Sequence, residues 1–130
     1  MISLKEVVNK ICSLVRECGK VMLNADREKM AIDIKSGVAD LVTEYDKGIQ
    51  EQLKVGLKSI LPEAKFIGEE GSNDELTDEG YAFIVDPIDG TTNFVKDYHM
   101  SAISVALLNG KDVVAGVVYN PYLDETFYAI

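Results

Sequence analysis

Between positions 3 and 27 the apolar residues fall at Leu4, Val7, Val8, Ile11, Leu14, Val15, Cys18, Val21 and Met22. That 3.6-residue period predicts a long amphipathic helix, with Ser3 as N-cap and Glu6 three residues later completing a capping box. Residues 30 to 35 alternate Met30, Ile32 and Ile34 against Ala31, Asp33 and Lys35, the pattern of a short strand. A second helix is predicted from about Thr43 to Ile60, with Ile49, Leu53, Leu57 and Ile60 facing inward and Pro62 beyond its end. Phe66-Ile67 and Tyr81 to Val85 are short apolar runs bounded by glycine and acid, which read as buried strands. Ala102 to Leu108 and Val113 to Tyr119 are longer runs joined through Asn109-Gly110, a hairpin signal, and a further partner begins at Glu125 after Asn120-Pro121. Helices come first and strands second. The fold class is therefore α+β, two long helices packed on a mainly antiparallel sheet.

Composition narrows the function. The 130 residues are enough for one core, burying roughly two thirds of the surface that the extended chain exposes. Thirteen basic against twenty-two acidic residues leave a net charge of −9, which repels nucleic acid. No apolar run reaches the length of a membrane span, and Met1 to Glu6 has no export signal, so a cytoplasmic location is expected. Cys12 and Cys18 lie on different faces of the predicted helix and cannot pair, in keeping with a reducing compartment. With His99 as the single histidine, a His/Cys zinc site is ruled out. The last residues, Glu125 to Ile130, look like a strand entered and then cut, so the chain is expected to be a fragment of a longer protein.

The chemistry concentrates in three acidic segments. Asp86-Pro87-Ile88-Asp89-Gly90-Thr91-Thr92-Asn93 follows directly on an apolar strand, where ligands bind in open sheets. Asp86 and Asp89 can face one point with the Ile88 carbonyl between them, and Thr91 to Val95 can begin a short helix whose N–H groups face an anion. Gly68-Glu69-Glu70-Gly71 adds a carboxylate at what is read as the same sheet edge. Oxygen-only ligands suit Mg2+ or Mn2+. In Asp40-Leu41-Val42-Thr43-Glu44-Tyr45-Asp46, Asp40 or Thr43 can cap the second helix. On spacing alone, Asp46 fits an exposed helix position about as well as a catalytic one. Glu70, Asp74, Glu75, Asp78 and Glu79 read as solvated acids, His99 as a loop residue without a role, and Tyr119, Tyr122 and Tyr128 as packing residues.

These residues resemble the inositol monophosphatase family. The likeness rests on Asp86 to Val95, which is similar to the family's first signature. It extends to Asp40-Leu41-Val42-Thr43 with Asp46, to Phe66-Ile67-Gly68-Glu69-Glu70, and to Gly116-Val117-Val118-Tyr119. The resemblance implies the N-terminal part of a layered α-β-α-β-α sugar-phosphatase fold, with residues 1–130 as its metal-binding domain. It implies Mg2+-dependent hydrolysis of a phosphate monoester of a polyol or sugar by an activated water. Glu69, Asp86 and the Ile88 carbonyl would hold one metal ion, and Asp86 with Asp89 a second. Asp46, Thr91 and Glu69 would be catalytic, and Gly90 and Thr91 would bind the substrate phosphate. Lithium sensitivity and a homodimer belong to the same implication.

The family's second-half signature, with an aspartate that completes the second metal site, has no counterpart here, which points to weak or absent activity in this chain. The alternatives are a fructose-1,6-bisphosphatase, a 3′-phosphoadenosine 5′-phosphate phosphatase, and a non-catalytic metal-binding or assembly domain. Repulsion among Glu69, Asp86 and Asp89 is expected to raise at least one of their pKa values.

Overall fold

The computed structural model describes residues 2–30, 32–34, 41–71 and 74–130. Ala31, Lys35 and Asp40 lie outside them. Helix α1 runs Leu4–Leu23, capped by Ser3, whose side chain accepts from the Glu6 N–H at 3.2 Å, and closed by Asn24. It ends before residue 27 because the Asn24 N–H and side-chain amide both turn back onto the Lys20 carbonyl. Strands β1 (Ile32–Ile34) and β2 (Leu41–Thr43) form a small antiparallel pair, and β2 leads without a loop into α2 (Glu44–Ile60).

The main sheet holds five strands in the order β3-β4-β5-β6-β7, with ranges Lys65–Ile67, Tyr81–Asp89, Ala102–Asn109, Asp112–Asn120 and Glu125–Ala129. Among the described residues only β3 with β4 is parallel; every other neighbouring pair is antiparallel. The β5–β6 hairpin turns at Gly110-Lys111, with Asn109 paired to Asp112 and Gly110 at a φ of 64°. A positive φ at the first loop position is what a two-residue II′ turn asks of a glycine.

Helix α1 lies over β5 and β6, and α2 over β4. Their apolar stripes and the inward side of the sheet bury one continuous core, including Ile11, Met22, Ile49, Leu53, Phe83, Val105 and Val117. Tyr119 joins that core, while Tyr128, read as a packing residue, is 63% exposed because β7 is an edge strand beyond the helices. Cys12 and Cys18 are buried, unpaired thiols.

Strand β4 carries the aspartate motif and is longer than the apolar run that announces it. Asp86 pairs with Ser104 and Asp89 with Ala102, so three steps on β4 oppose two on β5. That one-residue β-bulge takes up Pro87, which cannot donate to the ladder, and re-aims the following carboxylate. A short helix, α3 (Thr91–Val95), begins immediately after.

Candidate active site

Four segments converge at the end of β4. Thr43, N-cap of α2, accepts from the N–H groups of Tyr45 and Asp46 at 3.1 and 3.3 Å. In return, Asp46 Oδ2 accepts from the Thr43 N–H at 2.9 Å and its hydroxyl at 2.6 Å. This reciprocal capping box fixes one oxygen of Asp46. The other, Oδ1, accepts from the Thr91 hydroxyl at 2.7 Å, and that hydroxyl also lies 3.1 Å from the Ile88 carbonyl. Asp46 is only 1% exposed, so the exposed-helix alternative does not describe its position.

Gly90 joins the bulged strand to α3. Its φ is 91°, and a Cβ there would stand 2.8 Å from the Met100 carbonyl. Conformation and clearance both require glycine. Beyond it, Phe94 is fully buried, with the Tyr45 ring edge-on at 5.8 Å and the Arg27 guanidinium over its face at 4.9 Å. Arg27 also donates from Nε to the Phe94 carbonyl at 2.9 Å and lies 3.3 Å from Asp97. Thus α3, which displays Thr91, is clamped by Tyr45 of α2 and by Arg27 of the segment that follows α1.

The sequence reading missed Arg27, a single basic residue beyond α1 with no periodic or motif signal. His99 is a loop residue, 2.9 Å from Asp97 and stacked on Tyr122. Tyr122 thus stacks on His99 with one side of its ring while packing, partly buried, against the core.

Asp86 and Glu69 meet as a hydrogen-bonded carboxyl pair. Burial pushes the Asp86 carboxyl up to about 7, aided by that hydrogen bond and by the charges of Glu69, Asp89 and Asp46. The expected direction is therefore present, although burial contributes more than repulsion. One oxygen of Asp86, Oδ1, is buried and accepts no hydrogen bond among the described residues. Asp89 is exposed at the end of β4, near enough for its charge to act on Asp86. Asp74, read as a solvated acid, is exposed and also accepts from the Phe66 N–H at 2.9 Å. A cleft of about 600 Å³ opens beside Asp89 and Gly90, with Asn93, Met100, Ser101 and Leu123 in its walls.

The sequence model of the inositol monophosphatase family matches residues 3–130. The chain belongs to this family. Inositol monophosphatase 2 of Solanum lycopersicum is 42% identical over 132 residues, covering 98% of this chain and 49% of the relative. An IMPase/NADP phosphatase complexed with Mg2+ and phosphate superposes with a TM-score of 0.86 at 31% identity, covering 98% of this chain and 48% of that one. A dual-specific IMPase/NADP phosphatase bound with D-inositol-1-phosphate gives 0.84 at 31% identity, over 99% and 48%. The chain thus spans about half the length of the curated relatives it matches. Its helices on a mostly antiparallel sheet are the inositol monophosphatase fold over that span.

The residues present fit a hard divalent cation. Carboxylates and a main-chain carbonyl are the right donors, and the unbonded, buried Oδ1 of Asp86 is an acceptor that a cation would satisfy. Among the described residues, no three Asp, Glu, His or Cys side chains form a ready-made cage. Mg2+ commonly needs only one or two carboxylates, with water and substrate phosphate completing its shell.

Proposed function

We propose that this chain carries the hydrolytic centre of a Mg2+-dependent phosphomonoesterase acting on a polyol or sugar phosphate, with residues 1–130 as its metal-binding domain. What supports the reading is the meeting of two pairs from separate segments, Asp86 with Glu69 and Asp46 with Thr91. Glu69, Asp86, the Ile88 carbonyl and Asp89 would hold Mg2+, or Mn2+ in its place. The bound cations supply a lowered water pKa and neutralise charge on the phosphoryl oxygens.

The chain's own residues do the rest. Thr91 gives its hydroxyl proton to Asp46, which leaves its oxygen lone pairs to accept a proton from the attacking water. Asp46 cannot swing away, because Thr43 holds its second oxygen twice. Glu69 shares in activating that water. The Gly90 and Thr91 N–H groups bind the substrate phosphate at the start of α3, and the cleft beside Asp89 accommodates the leaving alcohol. The buried, unpaired cysteines are in keeping with the cytoplasm.

The test is phosphate release from inositol 1-phosphate, fructose 1,6-bisphosphate and 3′-phosphoadenosine 5′-phosphate, each with Mg2+ and with EDTA. Turnover that needs metal and disappears in Asp86→Asn supports the reading, and the substrate ratio names the class. Turnover unaffected by EDTA overturns it. A second reading, a metal-binding assembly domain without turnover, is favoured by one observation. The sheet face opposite the helices leaves Ile84, Val118 and Phe127 exposed. Metal binding without phosphate release, in a chain that sediments as a dimer, would favour it.

A further inference from the structure

Gln50 lies one turn beyond Asp46 on α2, so the two share a helix face. Asp46 reaches forward to Thr91, whereas Gln50 reaches the segment that carries Glu69. Its Oε1 accepts from the Glu70 N–H at 2.8 Å, and its Nε2 donates to the Glu70 carbonyl. The side-chain amide thus treats Glu70 as a neighbouring strand would, meeting both of its main-chain groups. It does so where pairing of β3 with β4 has stopped, at Ile67 with Ile84.

Gly68 makes the approach possible. It is buried, and a Cβ there would overlap the Gln50 carboxamide, 2.7 Å from Nε2. Gly68 and Glu70 flank Glu69, so the one residue between the two contacts is the one that hydrogen-bonds Asp86. We infer that Gln50 is the positioning residue that sets Glu69 opposite Asp86, by gripping the main chain of Glu70. Only a carboxamide of this length both donates and accepts here. Glutamate, the same size, keeps the accepting bond and sets a carboxylate against the Glu70 carbonyl; methionine keeps neither.

The inference rests on the proposed role of Glu69 and Asp86 in holding Mg2+, and the experiment separates the two. Mg2+ is titrated calorimetrically into the 130-residue chain and into Gln50→Glu, Gln50→Met, Gly68→Ala, Glu69→Gln and Asp86→Asn. Thermal melts and hydrogen exchange at the Glu70 amide accompany each titration. Both Gln50 variants are expected to weaken Mg2+ roughly 10- to 100-fold, the range for partners that orient a metal ligand. Exchange at the Glu70 amide should quicken in Gln50→Met, which loses the bond to that N–H, and Gly68→Ala should weaken Mg2+ in the same way.

A purely structural Gln50 would lower the melting temperature and leave Mg2+ affinity within twofold, and that result overturns the inference. If Gln50→Met fails to fold, the isosteric Gln50→Glu decides between the same two outcomes. Mg2+ affinity unchanged in both Glu69→Gln and Asp86→Asn would instead refute the metal site itself.

Discussion

Asp86 sets the pH behaviour of the site. In the folded chain its carboxyl stands near 7 against an ordinary 3.8, chiefly because it is buried. Between those values the folded state keeps a proton that the unfolded state has released, so stability falls as pH rises. The metal-free chain should therefore melt at a higher temperature at pH 5 than at pH 8, with the loss complete above about pH 7. Differential scanning calorimetry checks this, and Asp86→Asn should flatten the dependence. Thr43 acts through two contacts at once, as N-cap and as the holder of Asp46. Thr43→Ala should cost about 1–2 kcal/mol in denaturant unfolding and also slow phosphate release, by freeing Asp46 to turn. Thr91→Ala should cut phosphate release on the order of 10²-fold and leave Mg2+ affinity unchanged, since Thr91 is not among the proposed metal ligands.

The bulged strand β4 and the helix α3 place these groups, and Gly90 is the joint between them. Gly90→Ala meets both the positive φ and the Met100 carbonyl, and should destabilise by roughly 1–3 kcal/mol in chemical denaturation. Phe94→Ala, which empties the contact between Tyr45 and Arg27, should cost about 3–5 kcal/mol. Elements governed by local pattern were legible in the chain: α1 from its apolar period, the β5–β6 hairpin from Asn109-Gly110, and α3 after the glycine. Strand β2 was not, because three residues abutting a helix cap leave no alternation to read. The end of β4 was hidden for another reason. Asp-Pro and Asp-Gly are turn dipeptides, and only the opposite strand reveals that a bulge absorbs them. The aspartate motif itself stood out, but its pairings did not. Asp46 meets Thr91 across 45 positions, and Gln50 meets Glu70 across 20. A glutamine on a helix carries no sign of what it will hold.

At the scale of the whole molecule, one face of the sheet is packed by α1 and α2, and the opposite face leaves Ile84, Val118 and Phe127 in solvent. Exposed apolar groups on adjoining strands favour association. The chain should therefore sediment with a concentration-dependent mass, and Val118→Lys with Phe127→Lys should reduce it. At the other end of the sheet, half-buried Asp86 and exposed Glu69 form the acid pair proposed to hold a cation. The most direct test is calorimetric titration of Mg2+ into the chain and its Asp86→Asn variant at pH 6 and pH 8. Binding should be tighter at pH 8, with proton release at pH 6 as Asp86 gives up its proton, and absent in the variant. Equal affinity at the two pH values, or full affinity in Asp86→Asn, would contradict the proposed site.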